Sequence, residues 1–251
     1  MKSLQLISVP LASVVVTLAA WGLFQSVDPS EAGGLTEVTR GGATWLDDGR
    51  TNSPGSRRGR KRDVQEVRRQ LERGAYGTYI GDVLIEHDSA LARWPDRVAK
   101  PLRIWVQNDP ALEGWNPEFE TQVRTAFDEW VETGIPMRFR FVADSADAEV
   151  QVTWVDRFHE PISGKTRWAR DSRWWIVDGN ITIALRHSSG PMLSAAAIHA
   201  IALHEVGHLL GLDHSQNPEN IMTPRVRVKS LSEADRATMR LLYSLPPGTV
   251  R

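Results

Sequence analysis

Residues 204–214 read His204-Glu205-Val206-Gly207-His208-Leu209-Leu210-Gly211-Leu212-Asp213-His214, and no other stretch restricts the conformation and chemistry of the chain as strongly. His204 and His208 are four residues apart, so on an α-helix they stand one above the other on one face and reach a single ion together. Glu205 projects to a neighbouring part of the helix surface, where it touches a water on that ion without ligating it. Gly211 can take the left-handed conformation that ends a helix, so the backbone doubles back and delivers His214 as a third ligand.

These residue types suit one kind of chemistry. Zinc held by three neutral imidazoles keeps one tetrahedral position open, which marks a catalytic rather than a structural site. A water there has its pKa lowered to roughly 7 while the metal polarises a carbonyl. Glu205 is the expected general base, handing the proton on to a leaving amine as general acid. Leu209, Leu210 and Leu212 read as core residues, and Asp213 as a hydrogen-bonding turn residue.

The run matches the long zinc-binding consensus of the metzincin metallopeptidases. Ser215 follows the third histidine directly, and Asn220-Ile221-Met222-Thr223-Pro224 resembles the Met-turn of the matrixin branch, which holds the matrix metalloproteinases and bacterial relatives. The resemblance implies a zinc metalloendopeptidase acting on protein or peptide substrates. It assigns one catalytic Zn2+ to His204, His208 and His214, the base to Glu205, and a supporting apolar floor to Met222. It also implies an α+β, zincin-like fold: a twisted, mixed, mostly parallel sheet with an antiparallel edge strand above the cleft, and three helices. That edge strand should fall near Thr166 to Arg170, where an extended peptide adds to the sheet by backbone hydrogen bonds.

Several features depart from the family pattern. With no cysteine in the chain, the cysteine latch of the animal enzymes is excluded, and so is any disulfide scaffold. His87 and Asp88 are the nearby groups that could cap the zinc instead, against the plainer reading of an exposed loop pair. The Ca2+ and structural zinc sites of the animal enzymes are not evident, since His159, His187 and His199 show no ligand spacing. Thr223-Pro224-Arg225 departs from the more common aromatic-bearing turn, the segment that lines the main specificity pocket in the family, so the resemblance assigns no side-chain preference.

At 251 residues, with 41% hydrophobic residues and ten tryptophans, the chain can bury one substantial core plus extensions. A formal charge of -1 gives no reason to expect nucleic acid as a partner. Residues 1–25 read as a signal peptide or membrane anchor: Lys2 precedes an uncharged apolar stretch from Leu4 to Phe24, and Ala20-Trp21-Gly22 offers a weak cleavage site. An extracytoplasmic protein is expected, secreted or held to a membrane through residues 4–24. Residues 26–62 read as a flexible linker ending in the basic run Arg57-Arg58-Gly59-Arg60-Lys61-Arg62. Nothing in the sequence fixes the oligomeric state.

Residues 63–98 form a helical segment that is either pro-like or supporting, with an N-capped helix over Asp63 to Arg73 and an ambiguous stretch from Tyr76 to Trp94. Residues 99–247 make up the peptidase-like domain. The alternation of Leu102 to Val106, Met137 to Val142 and Glu149 to Val155 predicts strands, joined by Thr166 to Arg170 and Asn180 to Arg186. Helices are predicted over Asn116 to Glu132, with Phe119, Val123, Phe127 and Val131 on one face, over Met192 to Leu210, and from Ser232 through Tyr243 with Leu231 as a staple.

Two function classes fit these residues. One is the exported endopeptidase; the other is a membrane-tethered, non-catalytic binding or scaffold protein that retains a metal site. Glu205 separates them, because a scaffold has no need of a proton acceptor beside its ligands.

Overall fold

In the computed structural model, residues 63–251 are described, apart from Asp109 and Ser189. The expected signal or anchor (1–25) and linker (26–62) lie outside the described residues. In chain order the elements are α1 Val64–Gly74, α2 Ile80–Glu86, β1 Ala90–Leu91, β2 Leu102–Val106, α3 Pro117–Val131, β3 Phe139–Phe141 and β4 Val150–Val155. They continue as β5 Gly164–Arg170, β6 Ile176–Ala184, α4 Ala195–Leu209, α5 Glu233–Ser244 and β7 Gly248–Thr249.

The main sheet has the order β3-β2-β4-β6-β5. Every neighbouring pair in it is parallel except β5–β6, which is antiparallel and places β5 at the edge. This is the mixed, mostly parallel sheet that the family resemblance implies. β2 alternates buried and half-buried residues, as a strand with one face on the core must. Strand β6 departs from its predicted bounds, beginning at Ile176 and ending at Ala184. Asp178-Gly179-Asn180 reads as turn chemistry, yet Gly179 is a buried strand residue whose missing Cβ makes room: an atom there would stand 2.6 Å from Leu209 Cδ1 of α4. Glycine at this point lets the helix lie close against the sheet.

Helix α3 starts as its sequence suggests. Asn116 caps it by accepting from the Glu118 N–H, and Pro117 occupies the first turn, where its missing N–H costs nothing. Its buried face is Phe119, Val123, Ala126, Phe127 and Trp130. Val131, expected on that face, is only half-buried, because the larger indole turns inward and donates from Nε1 to the Leu203 carbonyl of α4 at 2.9 Å.

Five α-helices occur among the described residues, against three expected for the peptidase domain. Three of them, α3 to α5, fall within residues 99–247, and α1 is the helix read over Asp63 to Arg73. The additional one is α2, which lacks a side-chain cap at Tyr79.

The 63–98 segment packs on the main core. Strand β1 pairs antiparallel with β7, joining residues near 90 to residues near 249. Arg93, buried, donates to the Leu245 carbonyl at 2.9 Å and stacks over the rings of Trp175 and Tyr243. Trp94 donates from Nε1 to the Leu209 carbonyl at the end of α4. No helix among the described residues is long and apolar enough to cross a membrane.

Candidate metal centre

Helix α4 is apolar nearly all round, and every residue from Ala200 to Leu209 is buried. A helix of that composition belongs inside a core. Ser194 caps it by accepting from the Ala197 N–H, and three alanines in its first turns favour the helical state. Its far end closes as a Schellman motif. Gly211 takes φ +103°, its N–H donates to the His208 carbonyl, and the Leu212 N–H donates to the Gly207 carbonyl. A side chain cannot be fitted there, because a Cβ on Gly211 would stand 2.1 Å from the Ala92 carbonyl oxygen.

This closure brings His214 back to the two helix histidines. One ring nitrogen from each of His204, His208 and His214 falls within 4.8 Å of the other two, as their spacing requires. Among the described residues this is the one group of three or more histidines or carboxylates able to hold a metal ion. The ring orientations follow from outer hydrogen bonds. His204 donates from Nδ1 to the Ile221 carbonyl at 2.8 Å, and His208 donates from Nδ1 to the Leu212 carbonyl at 3.0 Å. Since carbonyls only accept, both protons are committed to Nδ1 and each Nε2 carries a lone pair.

Those two lone-pair nitrogens face each other at 2.9 Å, and the buried Nε2 of His214 has no hydrogen-bond partner among the described residues. Converging acceptors with nothing to donate to them form a cradle for a cation. The donor set, three neutral imidazoles, suits zinc. Protonation is disfavoured at all three. Burial first, and then the charges of His208 and His214, hold His204 well below the usual histidine range; burial lowers His208 as well. His214 is lowered to about 4 by burial and by His208, against the pull of Asp213.

Glu205 lies beside the triad, 2% exposed. Burial pushes its carboxyl up to about 8, opposed by a hydrogen bond from the Thr166 hydroxyl, whose Oγ is 2.6 Å from Oε2. The other oxygen, Oε1, lies over Gly164, where a Cβ would come within 2.3 Å of it. Gly164 and Thr166 both belong to the edge strand β5 and are the site residues that the motif alone does not reveal. Period-two alternation along β5 places them on one face, and that was the available signal.

Below α4, Met222 is fully buried, and a Cβ on Gly207 would stand 2.3 Å from its sulfur. Met222 therefore packs against the helix one residue before His208. Its turn is closed by Ser215, which donates from its N–H to the Met222 carbonyl and accepts at Oγ from Asn220 Nδ2. The buried Asp235 carboxylate, the N3 member of the α5 capping box, accepts from the Ile221 N–H and from the Tyr79 hydroxyl, both at 2.9 Å.

His87 and Asp88 do not behave as an exposed loop pair. Asp88 is exposed and pairs with Arg251, but the His87 side chain is only 6% exposed, with Nε2 3.2 Å from Asp213 Oδ2. It is not among the clustered ligand atoms. Asp213 is more than a turn residue, since it also accepts from the His214 N–H at 2.7 Å. Burial works to raise its carboxyl, yet the His87 hydrogen bond and the charges of His208 and His87 hold it well below the usual range.

The family model for matrixins matches residues 102–244, from the first residue of β2 to the last of α5. The chain belongs to the matrixin family. Among matrixin relatives, it is 25% identical over 150 residues to "Metalloendoproteinase 1" of Glycine max, covering 51% of this chain and 47% of that protein. It is 27% identical over 179 residues to "Matrix metalloproteinase-15" of Homo sapiens, covering 59% of this chain and 25% of that one. To "Metalloendoproteinase 2-MMP" of Arabidopsis thaliana it is 34% identical over 92 residues, 35% of this chain and 23% of that protein. The chain thus spans less than half the length of these curated relatives. Matrixin membership implies a bound zinc ion, and the His triad is the candidate site for it.

Proposed function

We propose that this chain is an exported zinc metalloendopeptidase, with His204, His208 and His214 as the zinc ligands and Glu205 as the general base. The observation that carries the reading is a buried carboxylate set beside three converging imidazole nitrogens, directly beneath the edge of a sheet. Zinc, when bound, supplies the Lewis acidity that brings the pKa of a water to roughly 7 and polarises an amide carbonyl.

The chain's own residues do the rest. Thr166 occupies Oε2 of Glu205 and fixes the carboxylate plane, so Oε1 takes the proton from the attacking water. The same oxygen then delivers that proton to the amide nitrogen as the C–N bond breaks, leaving an amine and a carboxylic acid, which ionise to ammonium and carboxylate. Among the described residues strand β5 pairs on one side only, with β6, and its open edge takes an extended peptide as an added strand. Recognition through the backbone makes protein or peptide the substrate class. Met222 acts as an apolar floor that stiffens the helix under His208 and does not bind the ion.

Residues 99–247 constitute the peptidase domain in this reading. Export rests on Lys2 and the apolar run Leu4 to Phe24, which also offer membrane attachment. A fractionated-cell blot checks it, with the domain expected outside the cytoplasm.

The direct test is cleavage of a denatured-protein or peptide library, with a chelator and Glu205→Ala as controls. Chelation should abolish cleavage and added zinc restore it. Glu205→Ala should retain zinc while turnover falls by about 10²- to 10⁴-fold. Unchanged turnover in that variant would overturn the mechanism. A parent protein that binds zinc but cleaves nothing would leave the non-catalytic scaffold as the reading.

A further inference from the structure

The three imidazoles are not oriented in the same way. His204 and His208 are each fixed by a backbone carbonyl at Nδ1, and both carbonyls lie in or next to the matrixin motif. His214 has no such carbonyl. Its Nε2 is buried with no hydrogen-bond partner among the described residues, and the group facing its Nδ1 is the Asp213 carboxylate, with Oδ1 at 3.7 Å, a distance too long for a direct hydrogen bond. That Oδ1 is engaged by the backbone N–H of His214, at 2.7 Å. The Asp213 side chain thus anchors the backbone from which the third imidazole projects, and the place of that ring depends on where the carboxylate is held.

His87 holds it. A carboxylate only accepts, so the His87 nitrogen at 3.2 Å from Oδ2 must donate, which places a proton on Nε2. The ring is itself confined. It is buried, it stands edge-on to Trp168 of β5 with centroids 5.8 Å apart at 88°, and its Nδ1 has no hydrogen-bond partner among the described residues. A buried imidazole with a single protein hydrogen bond has one polar task here, and that task is Asp213. Residue 87 also precedes the part of the chain matched by the family model, which begins at Leu102.

We propose that His87 is a positioning residue of the metal centre, fixing His214 through Asp213, and that residues 63–98 are therefore a working part of the mature enzyme rather than a segment to be discarded. The proposal rests on reading His204, His208 and His214 as zinc ligands. It assigns His87 no contact with the metal or the substrate. Partners one shell out from a metal ligand set its orientation and basicity, and their loss typically weakens metal affinity by about 10- to 100-fold.

The test measures zinc dissociation constants by competition with a chromophoric chelator, and the visible spectrum of the cobalt-loaded protein. The proteins are the parent, His87→Leu, His87→Gln, Asp213→Ala and the double variant. In Gln the amide nitrogen can occupy the place of the imidazole Nε2, so it preserves the donor. His87→Leu should weaken zinc binding by about 10- to 100-fold and alter the cobalt spectrum. His87→Gln should stay close to the parent in both readouts. The double variant should bind no more weakly than Asp213→Ala, because His87 acts only through that carboxylate.

Parent-like binding by His87→Leu would overturn the proposal. So would a Gln variant as weak as Leu, or a further loss on adding His87→Leu to Asp213→Ala. If the Leu variant does not fold, His87→Asn replaces it: its shorter amide reaches only the Nδ1 position, so binding weaker than in His87→Gln sustains the proposal and equal binding overturns it. A parent protein without a cobalt spectrum or zinc affinity would instead refute the ligand assignment itself.

Discussion

Two parts of the molecule build the same centre by opposite means. The segment from α4 to the Met-turn makes its geometry locally: His204 and His208 are set by one helical turn, His214 by the Schellman closure at Gly211, and Met222 by a loop that ends on Ser215. The 63–98 layer contributes only over long sequence distances. Tyr79 reaches Asp235, Trp94 reaches Leu209, and His87 reaches Asp213. Local construction leaves a signature in residue spacing; remote construction leaves single residues whose partners are far along the chain. The catalytic motif can thus be conspicuous while half of what steadies it is not.

The contrast can be tested by striking each part separately. The largest effect should come from His214→Ala, which removes a proposed ligand placed by the local segment. Zinc occupancy measured by elemental analysis should collapse, while far-ultraviolet circular dichroism retains the helical signal; full occupancy would refute ligation by His214.

Gly211→Ala strikes the seam between the two parts, because the helix closure and the Ala92 carbonyl meet there. It combines a positive φ with a backbone clash, and should cost about 1–3 kcal/mol or more, read as a lowered urea midpoint. A neutral outcome would mean that the seam yields easily.

Removing the metal comes next. At zinc concentrations near 100 times the dissociation constant, bound metal adds about 2.7 kcal/mol to stability. Chelation should therefore lower the melting temperature, and excess zinc should restore it.

The smallest effect is expected for Tyr79→Phe. It deletes one hydroxyl from the buried Asp235 carboxylate, which keeps the Ile221 N–H and the capping-box donors. A loss of about 1 kcal/mol in urea unfolding, with zinc content unchanged, would confirm that this contact serves the scaffold. Loss of zinc without loss of stability would blur the distinction drawn above.

The same physical division explains what the sequence could disclose. The triad and Glu205 follow from periods and turns within a dozen or so residues, while the floor role of Met222 and the edge position of β5 come from the family resemblance. Helix α2 does not, since Tyr79 supplies no cap and Ile85 faces solvent, which spoils the amphipathic pattern. The start of β6 was concealed by Asp178-Gly179-Asn180, whose glycine answers a tertiary demand from Leu209 rather than a turn. Thr166 is legible as a strand residue and Gly164 lies just before the predicted strand, but neither is legible as the neighbour of a carboxylate 39 and 41 residues later in the sequence. His87 is the clearest instance: its burial depends on Trp168 and Asp213, neither of which its own neighbours announce.

The β1–β7 ribbon has a consequence for how such a molecule is born. Because Ala90 and Leu91 wait for Gly248 and Thr249, this pairing closes one of the longest loops in the domain, and such closures are slow. A polypeptide emerging from a ribosome or a translocation pore can wind α4 early, yet the ribbon cannot form until residues near 249 are free. The layer carrying His87 is clasped only then. A domain assembled in this order leaves that layer unclasped during synthesis and closes it last.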